Sequence, residues 1–339
     1  MTLDAAAAPG SKAAAGRATP EPVTVQISLA PSDARFCEIL LAHQMRQCGR
    51  YADEVLVTLD LELVGRSYEF GRDWEAGTAT VLDVVAALRA RHSNVRVLEV
   101  DRSASEAAAV ARRFFGGRAI PRSDYRGRPF YAYFFALHAA ANDHILHLDA
   151  DMLLGGGSPT WLAEAVQLLA ERPDALTCSP FPGPPTPSRA LTTQRGEPVA
   201  GLDAAYGFAG FSTRVFFLDR RRLAETYHPD RLLLPARLRD VPRALLHGRP
   251  PVGTAEASVS RAMRRSGLRR IDFLGRAPGM WSLHPPYRSE RFYRLLPDIV
   301  SMVEEGDVPD GQRGDYDLND AVIDWSDARA ALRASRWHR

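Results

Sequence analysis

The hydrophobic and polar positions along the chain alternate between two patterns. Short apolar runs, typical of buried strands, are separated by longer segments whose apolar residues recur at the spacing of an amphipathic helix. Strands separated by helices of this length indicate βαβ units and a parallel sheet. The predicted strands are 23–29, 54–60, 95–100, 144–148, 174–180, 206–219 and 268–274. The predicted helices are 34–48, 79–92, 105–115, 129–141, 159–172, 254–267 and 289–303.

The same pattern predicts how the chain is organised. Residues 1–22, rich in Ala, Pro and Gly, predict a disordered tail and lack the features of a signal peptide. The regular α/β half is predicted at 23–180, and a less regular half follows at 181–286. The latter opens with a Pro/Gly-rich segment, 180–201, which predicts a long surface loop or lid. A helical extension is expected at 287–339.

Composition and charge exclude several classes of protein. The chain has 339 residues, of which 45% are apolar, which is enough for a sizeable core. A net charge of +2 implies no nucleic-acid partner, and no apolar run is long enough to span a membrane. Lys12 is the one lysine, so chemistry that requires a lysine is nearly excluded. Cys37, Cys48 and Cys178 form no CxxC pair, which favours a reducing compartment and a cytoplasmic location.

The most specific stretch is HILHLDADMLLGGG, residues 144–157, in which a buried strand ends in two carboxylates, Asp149 and Asp151. Ligands of open α/β sheets bind at the carboxyl ends of strands. Two acids on one side of an extended segment repel each other unless they are neutralised. A Mg²⁺ or Mn²⁺ ion that carries a diphosphate would neutralise them with the oxygen ligands that such ions prefer. The alternative is that the acids cap the helix predicted from 159, although Ser158 is the better placed cap.

The segment HILHLDADM resembles the strand and DxD motif of the GT-A glycosyltransferases, and in particular of family-2-like members. These enzymes transfer sugar from a nucleotide diphosphate donor. The resemblance implies a Rossmann-like, mostly parallel sheet flanked by helices, with 23–180 as the nucleotide-sugar-binding half and 181–286 as the acceptor-binding half. It also implies that Asp151 ligates the metal and that Asp149 contacts the donor, the metal or both.

Other positions acquire roles from the same resemblance. Asp60, at the end of the second predicted strand, corresponds to the acid that binds the nucleoside. Glu256, 11 residues before the glycine that ends its predicted helix, corresponds to the general base. His284, in WSLHPP, corresponds to a late histidine that completes the metal shell. Ala30 is assigned to the donor as well. The arginine that the family often has in the helix before the DxD is absent from 131–141, so Arg128 or Arg126 would have to bind the phosphates.

Each of these positions also has a structural interpretation. Asp60 could be a turn residue at the end of a strand, and Glu256 could stabilise a helix dipole. His284 could be a packed core histidine. Ala255 stands where the family usually has the first acid of its ED pair, so inversion and retention both stay open. The QxxRW signature of processive synthases is missing, which favours transfer of a single sugar.

The sequence GFAGFSTR suggests where an acceptor or sugar could bind. Gly207 and Gly210 would let the backbone approach a sugar ring, and Phe211 would pack against its apolar face. The alternative is a glycine-containing strand or bulge in the core. The segments 180–201 and 228–253 are expected to shape the acceptor site.

The leading hypothesis is therefore a metal-dependent glycosyltransferase that moves one sugar, by family default from a UDP-sugar, to a hydroxyl of a small molecule or glycan. A sugar nucleotidyltransferase is the alternative, but its Gly-rich loop with Arg and Lys is missing after the first strand. A haloacid-dehalogenase-like phosphatase would place its DxD near the N-terminus and use a downstream lysine. A non-catalytic sugar-binding module also stays open.

Overall fold

The structure, a computed structural model, describes residues 21–62, 73–227, 229, 234, 235, 237 and 240–337. Most of the predicted tail and part of the 228–253 segment lie outside the described residues. The strands are β1 Val23–Leu29, β2 Glu54–Leu59, β3 Val95–Glu99, β4 His144–Asp149, β5 Leu153–Gly155, β6 Ala175–Pro182, β7 Glu197–Pro198, β8 Ala205–Phe208, β9 Val215–Asp219, β10 Arg269–Phe273 and β11 Trp281–Leu283. The helices are α1 Cys37–Gln47, α2 Trp74–Arg91, α3 Ala104–Phe115, α4 Tyr131–Ala139, α5 Trp161–Glu171, α6 Arg220–Thr226, α7 Asp240–Leu246, α8 Ala255–Arg265, α9 Glu290–Glu305 and α10 Ser326–Trp337.

The predicted α/β fold is confirmed. The strand order is β3-β2-β1-β4-β9-β6-β10-β8-β7, and the first four strands of this order are parallel. Pairing becomes mixed from β9 onward, because β9 runs antiparallel to both β4 and β6. The chain passes from β1 to β2 on one side, whereas β4 adds to the other side of β1. This is a topological switch point, where the loops diverge and leave a crevice at the carboxyl ends of β1 and β4.

Hydrophobic side chains cover both faces of the sheet, as the alternation of strand side chains requires. Val25, Ile27 and Leu148 belong to the core under α1, α2, α5 and α9. Leu56 and Ile145 face the core under α3, α4 and α8. Among the described residues, no helix has the length and apolar character needed to cross a membrane.

The predicted strand 206–219 is wrong in its extent, because the chain leaves the sheet between β8 and β9. The amide of Phe211 bonds to the Ser260 hydroxyl on α8 at 2.8 Å. The carbonyl of Arg214 then accepts the amide of Asp149 at 2.8 Å. The intervening residues therefore connect α8 to the end of β4 and are not in a ladder.

The glycine run after the acids has a packing role. β5 pairs antiparallel with β11, a strand that forms where the sequence predicts a turn-rich segment. Gly155 lies opposite Trp281, and a Cβ there would come within 2.0 Å of the Trp281 ring. Gly156 has a φ of +86°, which an L side chain rarely adopts.

The polar segment after α9 folds back onto the sheet. The amide of His284 donates to the Tyr316 carbonyl at 3.0 Å, and the amide of Leu318 donates to the His284 carbonyl at 2.9 Å. Within the predicted extension 287–339, α9 also contributes Phe292 and Leu296 to the core beside α1. The end of the chain thus contributes both to the core and to the neighbourhood of His284.

Candidate active site

Two adjoining cavities open at the carboxyl ends of β1, β2 and β4. The smaller cavity has a volume of about 150 Å³, and the larger cavity about 970 Å³. Of the predicted site residues, the smaller cavity is lined by Ala30, Asp60 and Asp149. The larger cavity is lined by Arg128, Asp149, Asp151, Phe211, Glu256 and His284. Asp149 belongs to both linings, so the cavities meet at the first acid of the motif.

Asp149 ends β4 and is held by two aromatic neighbours. The Tyr133 hydroxyl and Nε2 of His147 each lie 3.4 Å from its Oδ1. The side-chain amide of Gln44 donates through Nε2 to the backbone carbonyls of Asp149 and Met152, which fixes the turn that carries both acids. The carboxylate remains 26% exposed and available to a ligand.

Asp151 is already paired with an arginine. Nη2 of Arg288 lies 2.7 Å from Asp151 Oδ2, and Nη1 of the same guanidinium donates to Asp33 Oδ1 at 3.0 Å. The guanidinium also lies over the Phe36 ring, 4.7 Å from its centroid. Burial raises the pKa of Asp33 to about 6, while Arg288 acts in the opposite direction. Sequence reasoning missed both Arg288 and Asp33.

The alternative role of the acids as a helix cap is wrong. The N-cap of α5 is Thr160, and the helix starts at Trp161. The predicted cap Ser158 instead accepts the amide of Thr160 at 3.3 Å. β5 separates α5 from the acids, whose side-chain contacts are with Tyr133, His147 and Arg288.

The predicted metal ligands line one cavity, but they do not converge on a preformed site. Within the described part of the chain, no group of three or more His, Cys, Asp or Glu is placed to hold a metal ion. Arg288 holds Asp151, and Nδ1 of His284 bonds to Asp317 Oδ1 at 2.8 Å. The bond to Asp317 fixes the imidazole and leaves Nε2 as the nitrogen open to a ligand.

The smaller cavity contains the two other predicted donor residues. Nη2 of Arg102 donates to Asp60 Oδ1 at 2.7 Å. Burial raises the pKa of Asp60, and Arg102 lowers it. Ala30 follows β1, and its amide bonds to Asp33 Oδ2 at 2.8 Å. The cavity therefore places backbone and carboxylate groups at the ends of β1 and β2.

Glu256 is the second residue of α8 and is exposed in the larger cavity. Thr254 caps this helix by accepting the amide of Ala257 at 3.1 Å. The Thr213 hydroxyl lies 3.5 Å from Glu256 Oε2, which links this acid to the segment beside Asp149. A carboxylate held by a helix terminus and facing an open cavity can accept a proton from a bound hydroxyl.

The glycines predicted to contact a sugar line neither cavity among the described residues. Gly207 lies within β8 opposite Ile271, in a ladder that occupies its backbone. Gly210 has one neighbour near its Cβ position, the Ser260 hydroxyl at 4.0 Å. Phe211 does line the larger cavity, although its ring is buried and packs on Phe216 at 4.8 Å.

The larger cavity also contains groups that the sequence did not reveal. Arg214 and Arg270 line it, as does the half-buried Tyr316 from the segment after α9. All three residues lie on segments of the chain other than the one that carries the two acids. No short motif marks these residues, because each lies far from the acids in the sequence.

No family model matches the chain, and no curated protein matches it by sequence. Solved structures that it resembles include GT-A-type glycosyltransferases. GalNAc-T7 with UDP, GalNAc and Mn²⁺ matches over 80% of this chain and 45% of its own, with 13% identity and a TM-score of 0.43. The mannosyltransferase PcManGT from Pyrobaculum calidifontis, in complex with GDP-Man and Mn²⁺, matches over 85% and 64%, with 16% identity and a TM-score of 0.39.

The S. aureus TarS fragment 1–349 matches over 86% of this chain and 67% of its own, with 12% identity and a TM-score of 0.38. This chain spans less than half of the GalNAc-T7 chain and less than two thirds of PcManGT. Because every one of these TM-scores lies below 0.5, the function proposed below rests on the geometry of the two cavities.

Proposed function

We propose that this chain is a metal-dependent glycosyltransferase that moves one sugar from a nucleotide diphosphate donor to an acceptor hydroxyl. The observation that supports it is the position of Asp149, which lines both cavities at the end of β4. The smaller cavity suits a nucleoside, and the larger one, with Glu256 in its wall, suits the sugar and acceptor. The diphosphate would then lie where the cavities meet.

The acids fit a hard divalent cation. Magnesium and manganese sites in nucleotide enzymes commonly use one or two carboxylates, with substrate phosphates as further ligands. Asp149 and Asp151 supply such carboxylates, and His284 supplies a nitrogen whose ring is oriented by Asp317. The absence of a three-residue cluster in the described chain therefore agrees with an ion that arrives together with the donor. When bound, Mn²⁺ or Mg²⁺ would neutralise the charge that develops on the leaving nucleotide.

Arg288 has a second part in this proposal. Its guanidinium neutralises Asp151 and Asp33 in the structure, and it occupies Oδ2 of Asp151, so a cation that binds this oxygen would displace it. A guanidinium that leaves a carboxylate can pair with a phosphate by the same two parallel hydrogen bonds. We propose that Arg288 leaves Asp151 and pairs with the donor diphosphate. Arg128, which precedes α4 in the chain, would bind the same diphosphate.

Glu256 would act on the acceptor. Its carboxylate is exposed in the larger cavity and belongs to α8, whose position is fixed by the Ser260–Phe211 hydrogen bond. We propose that Glu256 accepts the proton of the attacking hydroxyl. Direct displacement with this base would invert the configuration at the anomeric carbon.

The test is binding and turnover of nucleotide sugars, with UDP-sugars first. Titration calorimetry of UDP with and without Mn²⁺ measures binding, and release of UDP from a panel of UDP-sugars measures turnover. Asp149→Asn and Asp151→Asn should each lower Mn²⁺-dependent turnover by at least about 10²-fold, because a carboxylate that would hold the charge-neutralising cation is lost. The matched control is Asp83→Asn, an exposed acid on α2 outside both cavities.

Two results would overturn the proposal. One is full turnover by Asp151→Asn in the presence of a chelator. The other is a wild-type protein that binds neither UDP nor another nucleoside diphosphate when Mn²⁺ is present.

A further inference from the structure

The larger cavity contains more arginines than the proposed donor explains. Five arginines line it, Arg126, Arg128, Arg214, Arg270 and Arg288, together with four carboxylates, Asp124, Asp149, Asp151 and Glu256. A nucleotide-sugar diphosphate bound with a divalent cation adds almost no net charge. Arg288 and Arg128 are the cations assigned to that diphosphate. Of the other three, Arg126 donates to the Tyr125 hydroxyl at 2.7 Å, and Arg214 and Arg270 are considered below as a pair without an assigned partner in the substrate.

Arg214 lies between the donor and the proposed base. Its carbonyl accepts the amide of Asp149 at 2.8 Å, and the hydroxyl of the preceding Thr213 lies 3.5 Å from Glu256. The nearest acid to its guanidinium is Asp317, at 3.9 Å, and Asp317 already bonds to His284. Its side chain is 43% exposed, so the guanidinium is held loosely in the cavity wall.

Arg270 is held more rigidly. It projects from β10, and its guanidinium lies 4.4 Å from the centroid of the Phe208 ring. Nε is 2.8 Å from Asp272 Oδ1, and the side chain is 11% exposed. Neither of these two atoms makes a hydrogen bond of good geometry, although both are buried. A guanidinium has five N–H donors, so most of the donors of Arg270 have no partner among the described residues.

Both arginines act on the same part of the cavity. Tyr316 lines this cavity and is half-buried, and desolvation raises its pKa. Arg214 lies 3.9 Å from Asp317, the residue after Tyr316, and both Arg214 and Arg270 lower the pKa of the Tyr316 phenol. Each guanidinium has one acid nearby, Asp317 for Arg214 and Asp272 for Arg270, and one carboxylate leaves part of a five-donor guanidinium free to bind a further anion. Phosphates and carboxylates are the groups that arginine forks bind best.

We propose that the acceptor carries an anionic group, a phosphate or a carboxylate, that binds between Arg214 and Arg270. This inference rests on the proposed function, because it places the anion on the side of the cavity where Glu256 would meet the acceptor hydroxyl. It deepens that function by giving the acceptor a chemical class. The acceptor is then an anionic polyol or glycan, and the arginine pair selects it against neutral sugars.

The experiment measures binding of three small polyols that differ in charge. Glycerol 3-phosphate, glycerate and glycerol are titrated by calorimetry into the full chain saturated with UDP and Mn²⁺, so that the diphosphate position is filled. We expect one of the two anions to bind at least about tenfold more tightly than glycerol, and the stronger of the two identifies phosphate or carboxylate as the group. Arg214→Gln and Arg270→Lys should each weaken that binding by about tenfold or more.

Arg270→Lys keeps the charge beside Asp272, so it tests the loss of the fork without leaving a buried acid alone. Arg50→Gln, an exposed arginine beside Tyr51 outside both cavities, is the matched control and should bind the anion as the wild type does.

Three outcomes would overturn the inference. They are equal binding of glycerol and the anions, unchanged anion binding in both cavity variants, and anion binding that disappears when UDP fills the donor site. The last would assign the arginine pair to the diphosphate. Failure of the proposed function looks different, because UDP would then not bind with Mn²⁺ at all. Anion binding that still depends on Arg214 and Arg270 in that case would retain the anion site and remove its link to sugar transfer.

Discussion

The two cavities differ in how far their charged side chains are paired within the protein. Apart from Asp149, which both cavities share, the acids of the smaller cavity have arginine partners, since Asp60 pairs with Arg102 and Asp33 pairs with Arg288. In the larger cavity Glu256 has no arginine partner among the described residues, and Nε of Arg270 makes no hydrogen bond of good geometry. The larger cavity therefore keeps charged groups that a substrate could satisfy.

The difference shows how one sheet edge can serve two substrates. Burying an unpaired carboxylate is costly, so the acids around the smaller cavity need internal counter-charges before a donor arrives. The larger cavity is wide enough to hydrate Glu256 and Arg214, which are more exposed. It can therefore leave them free for a substrate that brings its own hydroxyl and, as we infer, its own negative charge.

The largest effect is expected in the larger cavity, at Glu256. Glu256→Gln should lower the rate of sugar transfer by about 10²- to 10⁴-fold, because the amide cannot accept the hydroxyl proton. The affinity for UDP with Mn²⁺ should not change, since Glu256 does not line the smaller cavity. Steady-state rates and UDP titrations on the same preparations provide the two measurements.

Glu75 provides the control, because it is exposed and is also the second residue of its helix, α2. Glu75→Gln should leave both quantities unchanged. Wild-type rates in Glu256→Gln would show that another group accepts the proton. The lack of an arginine partner for Glu256 would then have no role in sugar transfer.

A smaller effect is expected from removing Arg288, the arginine that pairs with Asp151 and Asp33. Arg288→Met removes the guanidinium from Asp151 and should let the free protein bind Mn²⁺ about tenfold more tightly, because the ion no longer competes with the guanidinium for this buried carboxylate. Binding of UDP should become weaker in the same variant, since the diphosphate loses a cation. Electron paramagnetic resonance of free and bound Mn²⁺ measures the first change without any turnover.

Arg35→Met is the control for Arg288→Met. Arg35 also lies over an aromatic ring, that of Tyr293 at 3.8 Å, and pairs with an acid, Glu290 at 2.7 Å. It lines neither cavity among the described residues. Equal Mn²⁺ affinity in Arg288→Met and the wild type would show that Arg288 does not compete with the cation.

The smallest effect concerns the pH dependence of stability. The pKa of Asp33 is raised from 3.8 to about 6 by burial, so the folded chain binds the proton more tightly than the unfolded chain does. Stability from this group is present below the unfolded pKa and is lost as pH rises through about 6. The contribution to the slope is at most about 1.4 kcal/mol per pH unit. Urea unfolding of the wild type and Asp33→Asn across this window measures the difference.

Asp174 gives the opposite sign. Hydrogen bonds from Arg172 and Arg269 lower its pKa, so its contribution to stability is present at neutral pH and is lost as pH falls. Asp174→Asn should therefore be less stable than the wild type near neutral pH. At that pH the wild type no longer has the stabilising contribution of Asp33, so Asp33→Asn should not be destabilised by its removal. Parallel pH profiles for the wild type and Asp33→Asn would contradict the assignment to Asp33.

Particular elements show what a local pattern can predict. The strands of the parallel half and the helices α1, α3, α4, α5, α8 and α9 form close to their predicted positions, because apolar periodicity is a property of neighbouring residues. The position of the two acids at the end of β4 follows from the same periodicity. Where a segment is fixed by distant contacts, the pattern fails, as in the loop between β8 and β9 and in β11.

The sequence by itself determined an α/β chain with a strand that ends in two acids, because hydrophobic alternation and the residue at a strand end are local facts. Only the tertiary structure decided what neutralises those acids and what lines the space beside them. Arg288, Arg214 and Arg270 reach the cavities from separate elements. A charged side chain carries no sequence signal of its partner, since pairing depends on distance in space and on burial, and both are set by how the sheet and its helices pack.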